Sequence, residues 1–339
     1  MAYVEVSPPQ ESIQGTQWWT SYQPVSYKLD SKLGTEAEFK NMVQQCSAAG
    51  VGIIADVVLN HTTVADVAAG DQKGVAGSEY NGSTGSYPGF ATKQYPDGIT
   101  AADFHSCTKN ISDYTNQKEV QECRLSSMWD FNSESEKVQD IQSDYLASLW
   151  NAGVRGFRMD AVKHIHTDSM KAIKEKFAKK IGKNANDIYW IQEVIGNASE
   201  AAGIQPSNYV QNGTVTEFGF KSEMNQTFKD KIANLKGLSD RLSKDLSSDD
   251  ANVFVTNWDT ARNEGALTYK DGAKYQLANA FMLAYDYGTP RLLSDYKWDV
   301  NDNGAPGATA TSVPDVDMDK ACSTNDSDWN CEQRWTSTR

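Results

Sequence analysis

No apolar run in this chain approaches about 18 residues, which excludes a membrane-spanning helix. Positive charge is scarce: 32 Lys and Arg stand against 45 Asp and Glu, a net charge of −13, which argues against nucleic acid as a partner. That balance suits a soluble protein acting on a neutral substrate. Cysteine is sparse, five in 339 residues, and no Cys/His spacing resembles a zinc site. Cys107 and Cys123 bracket a polar, turn-rich loop, and Cys322 and Cys331 close a short one. Two small disulfide loops in an oxidising compartment are therefore expected, with Cys46 left over. No leader peptide is expected at the start either, since MAYVEVSPP already reads as a strand followed by a turn. The expectation is a secreted protein without its beginning. Asn-x-Ser/Thr sequons at Asn60, Asn81, Asn110, Asn197, Asn212, Asn225 and Asn325 permit glycosylation.

What is present is an alternation of strand and helix signals, which points to a parallel α/β fold. Strands are expected at 2–6, 51–59, 154–160, 189–195, 214–220, 252–259 and, from the apolar run AFMLAYDYG, at 280–288. Thr35-x-x-Glu38 reads as a capping box opening a helix with Phe39, Met42, Val43 and Cys46 inward. Helical spacing recurs at Val138, Ile141, Tyr145, Leu146 and Leu149, and again at Met170, Ile173 and Phe177. Residues 62–129 break this rhythm, being rich in Gly, Ser, Asn and Tyr, and are expected to form a small inserted domain. A closed (β/α)8 barrel needs one strand more than the seven found here.

Four strand ends carry polar residues that packing does not require: Asp56-x-x-x-Asn60-His61, Arg158-x-Asp160, Gln192-Glu193 and Asn257-Trp258-Asp259. In a barrel such ends meet on one face, where active sites are built. Period-2 alternation puts Arg158 and Asp160 on the same side of a strand, where the cation is expected to hold the carboxylate ionised. Asp160, Glu193 and Asp259 together suggest glycoside hydrolysis. One acid attacks the anomeric carbon, a second protonates the leaving oxygen, and a third steadies the oxocarbenium-like transition state.

The segments DVVLNH (56–61), GFRMDAVKH (156–164), QEVI (192–195) and FVTNWD (254–259) resemble, in order and spacing, the four signature regions of the α-amylase family, glycoside hydrolase family 13. Similarity to animal-type and streptomycete members extends along nearly the whole chain, through SPPQESIQG, QWWTSYQP and NDSDWNCEQRW. The resemblance implies a TIM barrel of the (β/α)8 type over 1–61 and 130–339, with a calcium-associated domain inserted after the third family strand. It also places the chain start at the family's second strand and its end before the last barrel helix, without the C-terminal β domain. An open barrel of that kind is expected to be poorly stable and weakly active.

Carried over by position, the resemblance makes Asp160 the nucleophile, Glu193 the acid/base and Asp259 the transition-state stabiliser. Arg158 would support Asp160, His61 would bind sugar beside the scissile bond, and Lys163 would reach the leaving-group side. Trp18, Trp19 and Tyr22 would form an aromatic floor for glucose units. A structural calcium is implied at Asn60 and Asp130 through side chains and at Gln121 and His164 through carbonyls, an oxygen-only set suited to a hard cation. Chloride-dependent members suggest an anion at Arg158, Asn257 and Lys297, beside Glu193. Trp258 departs from the His most members carry there, and Cys46 lacks the partner found in animal enzymes, so a free, buried thiol is expected. The implied activity is endo-hydrolysis of α-1,4-glucosidic bonds in starch, glycogen and maltooligosaccharides by a monomeric, secreted enzyme. Two alternatives use the same residues: glucanotransfer to a sugar acceptor, and a barrel kept for glucan binding or association without activity.

Overall fold

The computed structural model describes residues 2–242, 246–263, 265–323 and 327–339. The sequon at Asn325 lies outside the described residues. The chain divides into two compact units, Met1–Gly213 with Gly307–Val313, and Thr214–Pro306 with Pro314–Arg339.

The first unit begins with β1 (Tyr3–Val6), α1 (Glu36–Ala48) and β2 (Gly52–Val57). The irregular stretch follows, with β3 (His61–Val64), β4 (Gln72–Lys73), β5 (Glu79–Tyr80), α2 (Gln117–Glu122) and β6 (Met128–Asp130). It continues through α3 (Glu136–Asn151), β7 (Gly156–Met159), α4 (Thr167–Ile181) and β8 (Tyr189–Gln192). Strands β1, β2, β7 and β8 are neighbours in that order, all parallel. Asp56 is opposite Arg158, and Met159 is opposite Gln192. This register leaves Asp56, Asp160 and Glu193 at one edge, the carboxyl ends of adjacent strands. Every residue of β7 is buried, as for a parallel strand covered on both faces.

The helices follow their sequence signals. The Thr35–Glu38 capping box opens α1, with Thr35 Oγ1 accepting from the Glu38 N–H and Glu38 Oε2 from the Thr35 N–H. Only Val43 of α1 is fully buried, so Cys46 is a free thiol but a half-buried one, not the buried one expected. Helices α3 and α4 pack together through Ile141, Tyr145 and Leu149 and through Met170, Ile173 and Phe177, with Lys176 paired to Asp140 at 2.6 Å. Phe157 and Trp190 of adjacent strands meet edge-on, and burying such a ring contributes about 1.5–3 kcal/mol.

Residues 62–129 fold around aromatics of their own. Tyr80, Tyr87, Phe90, Ile99 and Phe104 join Val25, Phe131, Val138 and Ile141 in one apolar cluster. β3 pairs antiparallel with β6 and β4 with β5, and Cys107–Cys123 closes the loop leading through α2.

The second unit carries β9 (Thr214–Glu217), α5 (Phe218–Asn225), α6 (Leu238–Leu242), β10 (Ala251–Phe254), α7 (Trp258–Asn263), α8 (Ala273–Ala284), β11 (Thr289–Arg291) and α9 (Met318–Ala321). Here β10 lies parallel to both β9 and β11, and Cys322–Cys331 is formed as expected. The run 280–288 is not a strand. It is the end of α8 and the turn after it, and the last strand is β11. Tyr275, Ala278, Asn279 and Met282 are the buried face of α8, a helical spacing that begins before the apolar run. The strands expected at 214–220 and 252–259 stop early, because Phe218 and Trp258 already open helices. Among the described residues no helix is long and apolar enough to cross a membrane.

Candidate active site

Arg158 is the hub of the first unit's carboxyl edge. It is 2% exposed, and Asp56 beside it is fully buried. Its Nη1 donates to Asp56 Oδ1 at 2.8 Å, to Asp56 Oδ2 at 3.0 Å and to Asp160 Oδ1 at 2.8 Å. Its Nη2 meets Glu193 Oε1 at 2.6 Å. Tyr22 donates its hydroxyl to Asp56 Oδ2 at 2.7 Å. One guanidinium is thus divided among three carboxylates, and this changes the electrostatics expected from the sequence. Burial raises Asp160 well above the usual carboxylate range, and Glu193 and Asp56 add to the rise while Arg158 opposes it. Burial likewise lifts Asp56 to about 6 against the pull of Arg158.

Glu193 is fixed by the turn that follows Asp160. Ala161 has a left-handed backbone, φ 51°, a conformation that costs a non-glycine residue about 1–2 kcal/mol. The turn aims the Ala161 N–H at Glu193 Oε2, 3.0 Å away, and the next N–H, of Val162, donates to the Glu193 carbonyl at 3.0 Å. Asp160 and Glu193 are therefore brought together twice, by the arginine and by this strained turn. Neither Asp56 as a competitor for Arg158 nor the Ala161 turn was read from the sequence. Asp56 carried a signal, as an acid inside an otherwise apolar strand, whereas the turn carried none.

Trp18, Trp19 and Tyr22 lie on one short 3-10 turn, all half-buried, with Trp18 and Tyr22 edge-on at 6.0 Å. His61 is buried with Nε2 2.9 Å from the Tyr22 carbonyl, and burial lowers it to about 4, which keeps the ring neutral. Lys163 pairs with Glu200, a partner not singled out from the sequence, and lies over the Tyr114 ring at 5.4 Å.

A second cluster gathers the expected cation ligands. Asn60, Gln121, Asp130 and His164 are all buried. Asn60 adjoins Asp130 through the β3–β6 pairing, its carbonyl accepting from the Phe131 N–H at 2.9 Å. The side chains of Gln121 and His164 are committed elsewhere. Gln121 Nε2 donates to Tyr209 Oη at 3.1 Å, and His164 Nδ1 is 3.0 Å from the Val120 carbonyl. Their carbonyls are what remain to offer. Asp130 Oδ1 is buried without a hydrogen-bond partner, a costly state for a carboxylate oxygen that a bound cation would relieve. Burial raises Asp130 to about 7, opposed chiefly by the bond to His105. The donors are oxygens only, so the chemistry fits a hard cation such as calcium.

The remaining expected residues belong to the second unit. Asp259 and Trp258 stand in the first turn of α7, both half-buried. Asn257 is buried, its Oδ1 accepting from the Thr260 N–H at 2.8 Å. Lys297 is exposed, and its backbone N–H donates to the Asp328 carbonyl.

The "Alpha amylase, catalytic domain" family matches residues 7–290, well over half of the chain. The chain belongs to the α-amylase family. It is 37% identical over 334 residues to an α-amylase of Streptomyces violaceus, covering 98% of this chain and 53% of that protein. With an α-amylase of Aeromonas hydrophila it shares 39% identity, covering 98% of this chain and 69% of that one. Among solved structures, α-amylase I of the worm Eisenia fetida superposes with a TM-score of 0.88 at 32% identity, over 99% of this chain and 70% of that chain. A mutant of that worm enzyme was crystallised as a maltohexaose complex and superposes with a TM-score of 0.87. The chain thus spans only about half the length of its Streptomyces relative. The strand–helix units described above are those of the α-amylase catalytic domain, a TIM-barrel fold.

Proposed function

We propose that the protein hydrolyses internal α-1,4-glucosidic bonds of starch and related glucans with retention of configuration. The observation that carries this reading is the pairing of Asp160 and Glu193 on the single guanidinium of Arg158. The guanidinium and the Ala161 turn hold both carboxylates at one place, as a nucleophile and an acid/base serving the same glycosidic bond require. Asp160 attacks the anomeric carbon and forms the glycosyl-enzyme bond as the glycosidic C–O bond breaks. Glu193 delivers its proton to the leaving oxygen, then takes one from the water that cleaves the intermediate. Asp259 stabilises the positive charge of the transition state, and His61 and Trp258 bind the sugar beside the scissile bond. Trp18, Trp19 and Tyr22 stack on glucose rings, and Lys163 holds the leaving-group side. The names of the relatives and the maltohexaose complex of the worm enzyme support maltooligosaccharides as ligands.

Residues 1–61 and 130–339 are then the catalytic barrel and 62–129 an inserted domain. Calcium would be held by the Asn60 and Asp130 side chains and the Gln121 and His164 carbonyls. Bound there, it supplies positive charge and ties the insertion to the catalytic strand ends. For chloride the donor set does not fit: Arg158 is already shared by three carboxylates and Lys297 is exposed. The disulfides support secretion into an oxidising compartment.

The deciding experiment measures maltoheptaose cleavage by Asp160→Asn and Glu193→Gln variants of the full chain, with mass spectrometry after a fluorinated maltosyl donor. Each variant is expected to lose about 100-fold or more in kcat, and the label is expected on Asp160. Wild-type turnover in either variant, or a label elsewhere, overturns the assignment. Products longer than the starting sugar would instead favour glucanotransfer.

A further inference from the structure

His105 has no part in the chemistry above, yet it sits where the proposed calcium site is least satisfied. Its ring lies between two acids, with Nδ1 2.6 Å from Asp130 Oδ2 and Nε2 2.8 Å from Glu134 Oε2. Each ring nitrogen thus has a carboxylate oxygen within hydrogen-bond distance, so the ring is held from both sides. The His105 backbone N–H also donates to the Asp130 carbonyl at 3.0 Å, which anchors one residue to the other twice. Neighbouring Phe104 and Phe131 stack at 5.1 Å, and His166 Nε2 reaches Glu134 Oε1 at 3.3 Å. The ring therefore has little freedom to turn. Its effect on Asp130 is specific, because Oδ2 is tied and the buried Oδ1 is left without a hydrogen bond.

We infer that His105 is a positioning residue for the cation: by fixing Asp130 Oδ2 it aims Oδ1 at the metal and holds the carboxylate ready before binding. Outer partners of this kind orient ligating groups, and their loss typically weakens metal binding about 10–100-fold. Glu134 completes the arrangement from the far side by fixing the ring plane. This inference rests on the calcium reading of Asn60, Gln121, Asp130 and His164.

Two substitutions separate the bonds. His105→Asn places an amide N–H near the position of ring Nδ1 and keeps the bond to Asp130. His105→Gln places one near Nε2 and keeps the bond to Glu134. Both remove the same imidazole, so a role of the ring as a whole would affect them equally. The full chain is stripped with a chelator and titrated with calcium chloride in a calorimeter, and the melting of each metal-free form is recorded. His105→Gln is expected to bind calcium about 10–100-fold more weakly than wild type, His105→Asn nearly as well as wild type, and both metal-free forms to melt alike. Glu134→Gln, at a partly exposed acid, keeps the Asp130 bond and a carbonyl oxygen to face ring Nε2, and is expected to lose less calcium affinity than His105→Gln. Equal calcium affinities for the two His105 variants overturn the inference. Absence of calcium uptake by the wild type, with Asp130→Asn no different, overturns the calcium reading and the inference with it.

Discussion

Three carboxylates bond to Arg158, and a single positive charge cannot offset the burial of all three. Asp160 must be ionised to attack carbon, so its raised pKa places the acid limb of the pH–rate profile above the ordinary carboxylate range. Asp56 contributes to that rise in two ways, through its own negative charge and by occupying Nη1 of the arginine. Replacing Asp56 with Asn removes the charge and frees the guanidinium for Asp160, and both changes lower the Asp160 pKa. The acid limb of kcat/KM is therefore expected to move to lower pH in Asp56→Asn, while a limb unmoved or shifted upward would contradict this account. At this scale the alternation of Arg158 and Asp160 was legible, because period 2 is a property of any strand. The share taken by Asp56 was not, since it depends on the register of two strands 102 residues apart in sequence.

At the scale of elements, helix ends written in local chemistry were readable and apolar runs were not always so. α1 opens at the capping box that Thr35 and Glu38 announce. α4 ends at Gly182, whose φ of 66° is left-handed and whose N–H donates to the Lys179 carbonyl at 3.3 Å. Nothing lies within 4 Å of where a Cβ would stand, so the cost of Gly182→Ala is conformational alone, about 1 kcal/mol. Urea unfolding of this variant is expected to show that loss with unchanged kcat, because α4 carries no residue of the proposed site. The run 280–288 shows the opposite case. A short apolar stretch satisfies helix and strand alike, and only the buried positions of the preceding turns identify α8.

For the whole molecule, the cation site joins segments far apart in sequence: the residue before β3, the Cys107–Cys123 loop, β6 and the turn after β7. Binding to the folded state alone stabilises by mass action, about 2.7 kcal/mol at a hundredfold excess over Kd. Stripping calcium with EGTA is accordingly expected to lower Tm, and adding calcium, but not magnesium, to restore it. Calcium tolerates an irregular set of carbonyl and carboxylate oxygens, whereas magnesium demands a small, regular octahedron. A Tm indifferent to the chelator would count against the site.

The sequence by itself determined the strand–helix alternation, the two disulfides, the acids at the strand ends and the family to which they belong. Each of these is written in periodicity, spacing or residue type, which one stretch of chain expresses alone. The tertiary structure decided how charge is divided at Arg158, that Ala161 turns left-handed to present its N–H to Glu193, and that His105 leaves one oxygen of Asp130 unbonded. Those outcomes depend on which oxygen faces which nitrogen across distant segments, and burial then sets their energy.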